Sequence, residues 1–203
     1  EFREDAARID SSNRLLWRFP RQRLDAEVIR DSSLFVAGLL DSKMGGPGVY
    51  PELPTGMPTP RGGWNTATND SDRNRRSVYI FVRRNSRYPM LEVFDQATTH
   101  ETCPRRDVTT TAPQALTLLN GKLSRDWAEA LAGRVIGAAG PAFPKQVDLA
   151  FRLVYSRPPD AAEKDTALTF LDRQLKILAE RDKAGEPISQ PVGATAGVGR
   201  LQA

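Results

Sequence analysis

The 203-residue chain holds one cysteine, Cys103, and one histidine, His100. A single thiol excludes an internal disulfide, and without a CxxC or CxxCH motif these residues build neither a structural zinc site nor a covalent haem attachment. One imidazole excludes multi-histidine metal sites and leaves His100 as a lone potential base. No run approaches the ~18 apolar residues that mark a membrane-spanning helix, so no span is expected. The first residues, EFREDAARID, lack the basic-then-apolar layout of a signal peptide. They also lack a starting Met, so the chain reads as a piece of a longer protein, with any targeting signal in the missing part.

Lysine is scarce too: 6 Lys stand against 23 Arg within a net charge of +4. Arginine's planar fork of donors matches carboxylate, sulfate or phosphate, where lysine offers a compact point charge; high-GC codon usage would give the same bias. The hydrophobic fraction of 39% and the charged fraction of 27% are those of a globular chain. A domain of this length removes roughly 70% of its unfolded surface from water and needs no staple.

The pattern along the chain predicts a mainly α fold with a small β element. Residues 1–12 read as a flexible start, 13–182 as one domain and 184–203, without periodic apolar residues, as a disordered tail. NRLLWRF (13–19) leads into Pro20 and a helix with Leu24, Val28, Ile29, Phe35, Val36, Leu39 and Leu40 on one broad face. A Gly/Pro-rich loop follows over 43–74. The string RSVYIFVRR (76–84) predicts a strand with Val78, Ile80 and Val82 on one side and Tyr79 and Phe81 on the other. Met90 to Phe94 either pairs with it or forms an irregular turn. Thr111 with Gln114 three residues on and Pro113 between them is a capping box opening a short helix, which Asn120 and Gly121 close in the left-handed conformation. Ser124 caps a further helix carrying Trp127, Leu131 and Val135, broken at Gly137 and Gly140. A helical hairpin spans 145–182, its turn SRPPD ending one helix with proline and capping the next with Asp160.

These segments, in order, also carry a resemblance: NRLLWRFPRQRLDAEVIRD, MGGPGV, RRSVYIFVRR, PMLEVFD and TCPRRDVTTTAPQALTLLN, with AFRLVYSRPPDAAE beyond them. Together they resemble the planctomycete domain family known as domain of unknown function 1553. The resemblance implies an envelope or periplasmic setting, and an upstream neighbour that often bears haem c; no cofactor is expected in this chain itself. It supplies no reaction, and it places this chain in the later part of the family domain.

The densest cationic stretch runs from Arg73 to Arg106, where Glu92, Asp95 and Glu101 are the only acids. It would attract an anionic polysaccharide or an acidic partner face such as an upstream domain. The plainer reading is a structural network in which Arg76 or Arg106 pairs with Asp95 or Asp107. The best binding spot is Arg105 and Arg106 beside the helix start at Thr109–Thr111, where free amides could hold an anion. The candidate residues are Arg105, Arg106, Thr110, Arg76 and Arg84. Nucleic acid is disfavoured, because +4 is modest and the nearby aromatics fall within a strand that reads as buried. Cys103, His100 and Asp95 lie within nine residues and invite a thiol-nucleophile arrangement; a packed free cysteine is the better reading. Trp17 and Trp127 read as core, and Trp64 as an anchor of its loop or a platform for a sugar ring. No catalytic residue and no metal site is assigned. The expected function is a non-catalytic binding module; the alternative is part of a cytochrome-c-linked oxidoreductase or polysaccharide-degrading enzyme whose active site lies mostly outside the chain.

Overall fold

A computed structural model of the chain describes residues 3–19, 22–54, 56–57, 63–84, 86–188 and 191–192. Helices account for 52% of it and strands for 3%, so the fold is mainly α, as the periodicity indicates. A first short helix, α1 (Glu4–Ile9), lies within the expected flexible start. After it, the Asp10 carboxylate accepts the backbone N–H groups of Arg14 and Leu15, at 3.0 and 2.7 Å, and organises the turn that follows. Trp17, expected in the core, is only half-buried and donates its indole N–H to the Asp10 carbonyl at 2.7 Å.

Helix α2 (Ala26–Ala37) buries Ala26, Arg30, Leu34 and Ala37, which recur every three or four residues. Leu24, Val28 and Phe35, expected on the buried face, are exposed. The cause is Arg30: its guanidinium finds its acceptors inside the fold, so α2 is turned to aim this cation, and not those apolar residues, at the core. Gly38 ends the helix at φ +77°, a conformation that costs a residue with a Cβ about 1–2 kcal/mol. The expected helix start at Pro20 lies outside the described residues.

The 43–74 loop carries one short helix, α3 (Asp70–Arg73), and is pinned at several points. Arg75, 1% exposed, sends its guanidinium beneath the glycine-rich turn, donating to the carbonyls of Pro47, Lys43 and Gly45 and stacking over the Tyr79 ring at 4.0 Å. Trp64 is buried, donates to the Pro51 carbonyl at 2.7 Å and stacks on Tyr88, which makes it the anchor of its loop and not an open platform.

The predicted strand over 76–84 does not form. Ser77–Tyr79 make a 3-10 turn, and among the described residues the β structure consists of isolated bridges: Asp41 with Arg75, Val49 with Ile80, and Arg83 with Ser86. Asp31 on α2 accepts both the Ser77 N–H (2.8 Å) and its hydroxyl (2.7 Å), drawing this backbone onto α2 where a strand partner would have stood. Ile80 is buried, whereas Val78 and Val82 face outward.

The second half is helical: α4 (Pro89–Val93), α5 (Ala112–Asn120), α6 (Lys122–Ala139), α7 (Phe143–Tyr155) and α8 (Ala161–Lys183). Proline sits in the first turn of α4, α5 and α7, where its missing N–H costs nothing. The capping box of Thr111 and Gln114 is present. Gly121, however, ends α5 at φ −64° and is itself the N-cap of α6, so the chain turns a corner without a left-handed residue. Ser124 therefore lies inside α6 and bonds back to the Thr117 carbonyl at 3.2 Å, and Gly137 also lies within the helix, which runs on to Gly140. Asp160 caps α8, reciprocally with Glu163. The core gathers Leu34, Trp64, Ile80, Tyr88, Leu91, Phe94 and Trp127 between α2, α4 and α6. α7 packs on α6 and α8 on α7. The tail expected over 184–203 lies outside the described residues except for 184–188 and 191–192.

Candidate functional site

The arginines fall into two groups. Those that build the fold are spent on internal acceptors: Arg30 donates to the carbonyls of Arg75 (2.9 Å) and Arg73 (2.7 Å) and to the Ser77 hydroxyl, and burial pulls its pKa below the ordinary value. Arg75 holds the glycine-rich turn as described. Arg23 lies 2.7 Å from Asp95 and donates to the carbonyls of Phe94 and Thr109.

Asp95 is the base of the exposed loop that follows. It adopts φ +63°, a conformation that Asp tolerates better than most residues. Its carboxylate accepts the Thr109 N–H and hydroxyl, both at 2.9 Å, and the Gln114 amide at 3.5 Å, besides Arg23. The Thr109 backbone N–H above all, helped by the Thr109 hydroxyl and Arg23, holds the Asp95 carboxyl below the usual range. Residues 96–108 thus form a loop closed at its neck by Asp95 and Thr109.

Of the five candidate anion ligands, Arg106 is committed elsewhere. It makes a two-point contact with Glu27 on α2, at 2.6 and 3.1 Å, 79 positions away in the chain. Burial works to raise the Glu27 carboxyl, and the hydrogen bond and charge of Arg106 outweigh it, so its pKa falls. Arg76 is exposed and only 4.0 Å from Asp31, one turn further along α2 from Glu27. The structural network expected as the plainer reading therefore exists with other partners, Glu27 and Asp31 in place of Asp95 and Asp107. Thr110 is exposed beside the start of α5, where the Thr111 N–H donates to the Gln114 side-chain oxygen Oε1 at 3.1 Å. Arg84 and Arg105 are exposed, and neither has a carboxylate within ion-pair distance among the described residues. The loop bearing Arg105 touches Arg84, whose carbonyl accepts the Thr99 hydroxyl at 3.5 Å.

Cys103 is exposed rather than packed, its thiol donating to the Arg105 carbonyl at 3.2 Å. The Asp95 carboxylate is engaged by Thr109, Arg23 and Gln114, and among the described residues no hydrogen bond joins it to His100. Among the described residues no three His, Cys, Asp or Glu side chains cluster as a metal site would require, and no helix is long and apolar enough to cross a membrane.

One feature had no signal in the sequence. Between α4, α5, the first turn of α6 and residues 52–54 runs an apolar groove of about 530 Å³, lined by Leu53, Tyr88, Met90, Val93, Leu116 and Leu123. It is assembled from four separate segments, none of which departs from ordinary helix or loop composition.

With this geometry in place, the comparison with known families is specific. The family model described as PSD1, protein of unknown function (DUF1553), matches residues 1–171. The chain belongs to that family. No curated protein and no solved structure matches it.

Proposed function

We propose that the chain is a non-catalytic interaction module whose exposed arginines engage a carboxylate- or sulfate-bearing partner, with an anionic polysaccharide of the planctomycete cell envelope as the first candidate. The observation that carries this reading is Arg84 and Arg105, exposed and with no carboxylate in ion-pair distance among the described residues, where Arg23, Arg30, Arg75 and Arg106 are all internally engaged. Arg76 lies at the margin of the same role, and Thr110 is an exposed member of the same candidate set. Arg106 contributes by fixing its loop to α2 and not by touching ligand.

Two exposed guanidinium contacts supply roughly 0.5–2 kcal/mol together, a factor of about 2 to 30 in affinity. The test is titration with heparin and with polygalacturonate at 50 and 300 mM salt. Binding should weaken with salt and fall by that factor in Arg84→Ala/Arg105→Ala. Equal affinity in the folded double variant would exclude this face.

A second reading makes the chain one part of an envelope enzyme whose chemistry lies in upstream domains, one of them a haem-bearing neighbour. It is favoured by Leu15, Leu16 and Phe19, which are 72–90% exposed over a short stretch and would be covered in a larger body. A module binds glycan alone; an enzyme part binds it only when the upstream domains are restored.

A further inference from the structure

No arginine lines the apolar groove beside α5, and three of its properties together define an occupant. Its size is the first. About 530 Å³ falls within the ~300–1,000 Å³ of small-molecule sites. A helix of ~11 Å diameter fills roughly 500 Å³ per 5.4 Å turn, so the groove would house about one turn of a partner helix and leave the rest uncovered.

Charge is the second. The ionic groups at the rim are Glu52 and Lys122, and Lys122 is already held by Glu52 at 3.3 Å and by Asp126 at 2.8 Å. An ionic head group would meet no unpaired opposite charge here.

The third is hydrogen-bonding capacity. Tyr88 donates its hydroxyl to the Glu52 carbonyl, and the Thr117 carbonyl accepts from the Gly121 N–H and the Ser124 hydroxyl. Asn120, at the end of α5, lines the groove and is exposed, and its side-chain amide has no hydrogen-bond partner among the described residues.

We infer that this groove binds a small, uncharged, largely apolar molecule, seated on Met90, Val93 and Leu116 against the Tyr88 ring and hydrogen-bonded to the Asn120 amide.

Two probes with the same apolar body separate the elements of the claim: N-phenyl-1-naphthylamine, uncharged, and 1-anilinonaphthalene-8-sulfonate, anionic. Both are titrated into the full chain and read by probe fluorescence, with sedimentation of the same samples. The neutral probe should bind saturably at one site per chain and more tightly than its sulfonate. Leu116→Trp, which fills the groove from a half-exposed position, should weaken it at least tenfold, and Leu116→Asp should do the same by introducing charge. Leu119→Ser, on the neighbouring exposed face of α5, should leave it unchanged. Non-saturating binding, tighter binding of the sulfonate, or an equal loss in Leu119→Ser would each overturn the assignment. So would a dimer that Leu116→Trp dissociates, because a second copy would then be what covers the groove.

Discussion

Replacing Arg30 by methionine keeps an unbranched apolar stem of similar length and removes the guanidinium. That group is 3% exposed and makes three hydrogen bonds, two of them to the backbone carbonyls of Arg73 and Arg75 at 2.7 and 2.9 Å. Hydrogen bonds from a charged donor contribute about 1.5–3 kcal/mol each, and part of that sum is returned because methionine has no guanidinium to desolvate. The two carbonyls stay where they are, and each buried acceptor left unsatisfied costs about 1–3 kcal/mol, so about 2–6 kcal/mol together. Against a typical total of about 5–15 kcal/mol this is a large fraction of the stability, and it corresponds to a fall in Tm of roughly 4–24 °C. Arg30→Lys should lose nearly as much, since an ammonium on a shorter reach cannot span both carbonyls and the Ser77 hydroxyl. Urea unfolding followed by Trp fluorescence measures both variants. If Arg30→Met unfolds within 1 kcal/mol of the parent, the guanidinium is not what ties α2 to residues 73–77, and the account of α2's orientation fails with it.

Asp95→Ala places a Cβ-bearing residue without a polar cap at φ +63° and removes the acceptor shared by Thr109, Arg23 and Gln114; it should cost about 2–3 kcal/mol, Asp95→Asn about half, with faster proteolysis of loop 96–108 in both. Asp160→Ala removes the N-cap of α8, a loss of about 1 kcal/mol that a thermal melt with helical ellipticity would register; no change would mean that Glu163 alone starts the helix. The hydrogen bond from Arg157, then the Asp160 N–H, lower the Glu163 pKa from 4.5 to about 2. A depressed carboxylate stabilises above its unfolded pKa and loses that contribution as pH falls through the folded one, so the start of α8 should hold at pH 5 and loosen between 4.5 and 2. A carboxyl NMR titration placing Glu163 near 4.5 would contradict the Arg157 contact.

What was legible in the sequence is what is local. The cap at Asp160, the box at Thr111 and Gln114, and the proline between them all depend on atoms within four residues of one another, and each appears where its pattern stands. The 76–84 segment fails for the opposite reason. Its alternating Val, Ile and Tyr satisfy a strand, but the acceptor that decides its backbone is Asp31, 46 positions earlier, and one turn of α2 outbids a local preference worth at most about 1 kcal/mol. The arginines repeat that lesson. The sequence offers acids nearby, at Asp95 and Asp107, whereas Arg106 reaches Glu27 and Arg76 faces Asp31, both on α2.

The cost of leaving a buried cation unsatisfied explains why this family of contacts governs the fold. Arg30 and Arg75 sit where an apolar side chain would have been simpler, and each is answered mainly by backbone carbonyls. Carbonyls carry no sequence identity, so such sites leave no covarying acid for a reader to find. They do force irregular backbone: a segment whose carbonyls converge on a guanidinium cannot also offer them to a neighbouring strand. The irregular backbone of residues 43–47 and 73–77 follows from these two arginines, whose acceptors those segments carry. Cations held by the chain's own backbone are not open to a partner, so a partner is to be sought first at exposed arginines without such contacts, Arg84 and Arg105 among them.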